Sequence, residues 1–213
     1  MMRRTGVGVG FALVICGCVS QHAMPMRYDL DGIQAPPRIV PRLDATIALA
    51  PIQAPSWLRS TALVYRLDYT PPDNPRAYTL SEWTAPPGEL LTLRLRERIA
   101  AANDGFTLTT LPEDANGYRL DIVLENFAQI FSSPDHSRCV VTLAATVLGH
   151  EDRIVAQRTF RSEAPAPSAN AVGAVEGLGA AADSDFDQIL AWLRGTLPVR
   201  EASAIRGAGS PAQ

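Results

Sequence analysis

Residues 118–161 read YRLDIVLENFAQIFSSPDHSRCVVTLAATVLGHEDRIVAQRTFR, and the period of two running through them decides the fold class. Tyr118, Leu120, Ile122 and Leu124 point one way, while Arg119, Asp121, Glu125 and Gln129 take the alternate positions. That is the pattern of a strand with one face on a core and the other in water. Residues 138–148 and 153–161 repeat the extended pattern on either side of the turn GHED at 149–152, which predicts an antiparallel meander of long strands.

On both sides of this block the apolar spacing changes from two to 3.6. Before it, Pro86 and Pro87 open a helix that stops at the Asn-Asp-Gly of 103–105. Leu91, Leu95, Ile99 and Ala102 form its apolar stripe, with Arg94, Arg96, Glu97 and Arg98 partly around the outside. After it, Ser168 caps a second helix that continues with interruptions to about residue 197. Phe186, Ile189, Leu190 and Leu193 give that helix a buried stripe, and Gly173, Gly177 and Gly179 mark a bend or a close approach in its first half. Upstream, 43–52 reads as a strand, and 62–67 with 77–83 as a hairpin joined by TPPDNP. Residues 106–111 form a short strand, and Tyr28, Leu30 and Ile33 an edge strand. The expected fold is a single α+β domain, a mainly antiparallel sheet with two helices packed on one face.

The first residues carry a different message. Arg3 and Arg4 precede an apolar run, VGFALVICGC at 9–18, that is too short to cross a bilayer and has the form of an export signal. Its end, Ile15-Cys16-Gly17-Cys18, resembles the bacterial lipobox, with a small residue directly before the cysteine that receives the lipid. Cys16 is the poorer acceptor because Ile15 precedes it. The expected organisation is a signal at 1–17, a lipidated tether at 18–41, the domain at 42–197 and a disordered tail at 198–213. A membrane anchor through Cys18 follows, and its covalent lipid is the group expected in place of any cofactor.

The chain's formal charge of −3 becomes −5 once the two arginines of the signal are removed, and no basic cluster appears, which excludes nucleic acid as a partner. With Cys16 removed and Cys18 acylated, Cys139 has no disulfide partner, and its place at the head of an apolar run makes it a core residue. Enzyme chemistry would require a nucleophile with its base, paired carboxylates or a metal cluster. His22, His136 and His150 lie in the tether and in turns without ligand-spaced partners, so no catalytic or metal residues are expected. Trp57 and Leu58, between Pro55 and the Arg59-Ser60 pair, have no regular pattern to bury them. They are candidates for an exposed partner-binding anchor, and Trp57 folding back as a lid on the sheet's end is the other reading.

The lipobox at Cys18, LAPIQAPSWLRSTALVYR at 49–66, SEWTAPPGELLTLRLRERI at 81–99 and the segment from Phe160 through ILAWL at 189–193 together resemble the ABC-type transport auxiliary lipoprotein family, which includes paraquat-inducible protein C. The family's Pro-x-x-Leu turn before an aliphatic strand ending in Arg is matched by Pro55, Leu58 and Arg66. Its Trp ahead of a helix is matched by Trp83, and its late Trp-Leu by Trp192 and Leu193. Arg59 stands where the family usually has Asp. The resemblance implies an outer-membrane lipoprotein acting as a non-enzymatic adapter, whose partner is the periplasmic MCE-family protein of an ABC-type lipid transport system. A carrier holding an acyl chain between sheet and helices is the alternative. Ring-forming MCE partners would be matched by a cyclic homo-oligomer.

Overall fold

The computed structural model describes residues 23–30, 45–71, 74–102, 106–109 and 117–197. It contains strands β1 (Met26–Tyr28), β2 (Ala45–Leu49), β3 (Ala62–Leu67), β4 (Arg76–Trp83), β5 (Phe106–Thr109), β6 (Tyr118–Ser133), β7 (His136–Leu148) and β8 (Ile154–Pro165). Two helices, α1 (Pro87–Ala102) and α2 (Ala171–Thr196), pack on one face of the single sheet these strands form. Cys18 and residues 198–213 lie outside the described residues, as does most of the 18–41 tether.

The sixteen-residue β6 is bonded on both edges. One edge pairs antiparallel with β7 from Arg119 opposite Leu148 to Ser133 opposite His136, and β8 continues the meander. The other edge holds β2 at its start, against Tyr118–Leu120, and β3 near its end, against Gln129–Phe131, both parallel to β6. Between them the chain stays on that edge: Gln53 N donates to Ile122 O at 2.9 Å, and Leu124 N donates to Gln53 O at 2.7 Å. β5 adds parallel to β2, and β1 parallel to β4. The sheet is therefore mixed, not mainly antiparallel. The parallel contacts come from β2, β3 and β5, which all run with β6, while β4, the strand that α1 joins to β5, runs against them.

A bulge between Leu124 and Asn126 shifts the phase of β6. Gln129, expected on the wet face, is consequently buried on the helix side opposite Cys139. Its amide oxygen accepts from the Tyr78 hydroxyl at 2.7 Å and its nitrogen donates to Ser137 Oγ at 2.8 Å, which satisfies the group inside the protein.

α2 is one continuous helix rather than an interrupted one. Asn170, not Ser168, caps it: Asn170 Oδ1 accepts from Gly173 N at 3.1 Å, and the Ser168 hydroxyl braces that oxygen at 2.8 Å. The glycines mark a close approach, since a Cβ on Gly177 would sit 2.6 Å from Cys139 Sγ and 3.0 Å from Pro165 O. Helix and strand meet there at backbone distance, and burial pushes the Cys139 thiol up to about 12. Val141, Leu143, Ala145 and Val147 of β7 interlock with Ala174, Leu178, Ala181, Phe186, Ile189 and Leu193 of α2, all fully buried. Along this contact the space between α2 and β7 is filled by side chains.

Arg94 was expected on the outside of α1, but it is 6% exposed and makes a two-pronged contact with Asp183 of α2 at 2.9 and 2.8 Å, and also donates to the Leu30 carbonyl. Arg98 lies 3.5 Å from Asp183 and 2.8 Å from Asp187. The α1 pattern alone assigns a charge to solvent, whereas a facing carboxylate 89 residues later lets the guanidinium be buried. Removing one partner of such a pair strands the other in low dielectric. Arg94→Ala is expected to cost about 3 to 5 kcal/mol, and the double variant Arg94→Met/Asp183→Leu far less, both measured by urea unfolding. Equal losses in the two would remove the ion pair as the cause.

Candidate functional site

Among the described residues no helix packs on the other face of the sheet, the uncovered face, although Val64, Ala128, Ile130 and Val140 on that side are buried. Register places Arg119, Asp121 and Val123 of β6 and Arg138, Thr142, Ala144 and Thr146 of β7 on that side. Arg138 bridges Asp68 at 3.1 Å and Glu163 at 3.3 Å, and Arg161 meets Glu163 at 2.7 Å. At the opposite end Arg119 pairs with Asp121 at 3.0 Å and with Asp152 at 2.9 Å. Asp152 reaches Arg119 from a turn in which both Glu151 and Asp152 adopt positive φ, 56° each. Exposed pairs of this kind add little stability, but they fix a pattern of alternating charge around the less polar centre at Val123, Ala144 and Thr146.

Trp57 borders this face. The connection between β2 and β3 tightens into a 3-10 turn, Ser56–Leu58, closed by Leu58 N to Pro55 O at 2.9 Å and braced by Arg59 Nε on Ala54 O at 2.9 Å. Successive side chains on such a turn point about 120° apart. Leu58 accordingly enters the core at 1% exposure, while Trp57 remains half-buried. This corrects the expectation of a shared exposed anchor: Leu58 offers no surface, and Trp57 alone is accessible. The Trp57 ring lies 5.3 Å from the guanidinium carbon of Arg66, which sits beside Ile130 in the β3–β6 register and so on the uncovered side. Arg66 was read from sequence only as part of the family match. Its position after Leu63 and Tyr65 in the alternation of ALVYRL is the signal that assigns it to this face.

Among the described residues no group of three or more His, Cys, Asp and Glu side chains is arranged to hold a metal ion. His136 lies in the β6–β7 turn with Nδ1 3.2 Å from Ser133 Oγ, and His150 is exposed 3.9 Å from Glu151. The buried polar cluster of note joins β8 to α2. The Ser162 hydroxyl donates to Asp185 Oδ1 at 2.5 Å, Gln188 Nε2 donates to Ser162 Oγ at 2.9 Å, and Ser184 Oγ lies 3.1 Å from Ser162 Oγ. Burial raises the Asp185 carboxyl to about 6, against the opposing hydrogen bond from Ser162.

The model of the ABC-type transport auxiliary lipoprotein component family matches residues 28–189. No curated relative matches the sequence. The crystal structure of protein XCC0632 from Xanthomonas campestris, of family DUF330, superposes with a TM-score of 0.69 at 18% identity, covering 80% of this chain and 95% of that one. A second crystal structure, of an uncharacterised protein, gives a TM-score of 0.63 at 14% identity, covering 80% and 99%. At these identities the likeness is one of fold.

The Asp185 carboxyl gives this face's supporting layer a pH dependence. It titrates near 6 when folded and near its ordinary 3.8 when unfolded, so the folded state holds the proton more tightly. Its stabilising contribution is complete at low pH and is lost as pH rises through about 6. Asp185→Asn removes that slope. In urea unfolding, the stability of wild type relative to the variant is expected to fall between about pH 4 and pH 7 and then level off. A difference that stays flat or rises across this window would contradict the assignment.

Proposed function

This chain belongs to the ABC-type transport auxiliary lipoprotein family, and on that premise we propose that it is a non-enzymatic, lipid-anchored adapter that docks the periplasmic MCE-family protein of an ABC-type lipid transport system at the outer membrane. One observation carries the choice of adapter over carrier: between α2 and β7 the layer is filled by fully buried side chains, with an open groove at its β1 edge, while no helix of the described residues packs on the opposite face of the sheet. A protein whose helix side is spent on its own core has its other face free for a partner. Trp57, held on Arg66 at the border of that face, is the docking anchor, since half-exposed aromatics seated on rigid elements dominate interface energies.

Cys18 supplies the anchor through its covalent lipid, and Val19 in the following position, in place of the Asp that retains lipoproteins at the inner membrane, favours sorting outward. Fractionation and affinity purification from detergent-solubilised cells test both halves of the proposal. Wild type is expected in outer-membrane fractions together with an MCE-domain protein. Cys18→Ala is expected to be soluble or unprocessed. Trp57→Ala is expected to stay folded and membrane-bound while losing the MCE-domain protein. Wild type found only in the inner membrane would refute the location, and undiminished recovery of the partner by Trp57→Ala would refute the docking site.

A further inference from the structure

A second apolar surface lies away from the uncovered face, at the end of the molecule nearest the start of the described chain. Tyr28 and Asp29 of the β1 end, Pro165 at the end of β8, and Val172, Val175 and Glu176 of α2 line an open, mostly apolar groove of about 680 Å³. Tyr28 pairs with Trp83, whose ring packs on Phe127 in the core, so this face of β1 is the helix side of the sheet. By alternation Met26 shares that face, and it is 61% exposed. Met24, two residues earlier, is 94% exposed, and Val172 on the groove's other wall is 47% exposed. Arg27, between Met26 and Tyr28, points to the opposite side and pairs with Glu82 at 2.8 Å. Apolar side chains thus continue from Met24 through Met26 and Tyr28 to Val172, with the one cation of the strand turned away.

Large exposed methionines in succession are unusual for a surface facing only water. Their position in the sequence says what they meet. Met24 follows Cys18 by six residues and Met26 by eight, and a fully extended chain spans at most about 3.6 Å per residue. Met24 can therefore stand no more than about 22 Å from the acylated cysteine. We propose that the Met24–Met26–Tyr28 strip and the Val172 rim of the groove rest on the phospholipid leaflet that holds the Cys18 anchor, so that the domain is oriented on its membrane rather than swinging on a free tether. The inference depends on the lipidation of Cys18. The lipid of a lipobox cysteine holds the chain on the membrane without setting which way the domain faces, and apolar side chains set into the interface fix that direction.

The test uses the full-length lipidated protein reconstituted into phosphatidylethanolamine–phosphatidylglycerol vesicles. Met24→Cys, Met26→Cys, Val172→Cys and, as a control, Ile154→Cys each carry one environment-sensitive dye, because Cys139 is fully buried and does not compete for label. Ile154 is itself 61% exposed and lies eleven strand steps from Pro165, roughly 36 Å along β8. Dyes at 24, 26 and 172 are expected to shift to the blue and lose most of their emission to quenchers carried on the lipid tails, with the dye at 154 unchanged. If protein that floats with the vesicles shows no quenching at 24, 26 and 172, or more at 154, the orientation is overturned and the anchor stands. If mass spectrometry finds Cys18 unacylated and the protein fails to float, the anchor is refuted and the orientation with it.

Discussion

The hydrogen-bonding of β6 on both of its edges is the constraint from which the remaining placements follow. β7 occupies the whole of one edge, so whatever pairs with the other must share it, and β2, Gln53 and β3 do so in sequence along one interrupted line. That arrangement carries β5 off one end of β6 and β4 with β1 off the other. It also carries the Ser56–Leu58 turn past the middle of β6, where the alternating directions of a 3-10 turn send Leu58 inward and leave Trp57 on the border of the uncovered face.

A spine of this kind requires only one covered face. α2 lies close against β7 because Gly177 has no Cβ to meet Cys139, and its small residues bring helix and strand together without a gap. α1 is locked to α2 by the Arg94–Asp183 pair, a contact that depends on exact partnering rather than on apolar area, and so specifies how the two helices sit beside each other. The layer so formed leaves two accessible surfaces with different characters: a charged, weakly apolar sheet face beside Trp57, and an apolar strip beside β1 close in sequence to Cys18. An adapter that must hold a membrane and a partner at once is served by that separation.

Much of this was legible in the sequence. The period of two across 118–161 gave β6, β7 and β8, the Pro-opened stripe gave α1, and the i, i+3, i+4, i+7 apolar set of 186–193 gave the packed half of α2. What escaped depended on contacts between distant segments. Periodicity cannot distinguish parallel from antiparallel neighbours, so the mixed character of the sheet, set by β2, β3 and β5 running with β6, was hidden. A one-residue bulge reversed the assignment of Gln129, and no local pattern announces such a bulge. Arg94 looked solvated because Asp183 lies on another helix, and Leu58 looked exposed because the turn that buries it has no period to read. The candidate surface was half legible: Trp57, read as either an exposed anchor or a lid on the sheet's end, lies half-buried against the core, and its seat on Arg66 required the β3–β6 register.

The central claim, that the uncovered sheet face and not the helix side receives the partner, is tested most directly by light-activated crosslinking in living cells. A photoreactive amino acid replaces either Val123, 44% exposed on the uncovered face, or Leu93, 54% exposed on α1. Docking on the uncovered face predicts a covalent adduct with an MCE-domain protein from position 123 and none from position 93. An adduct from position 93 with none from position 123 would contradict it.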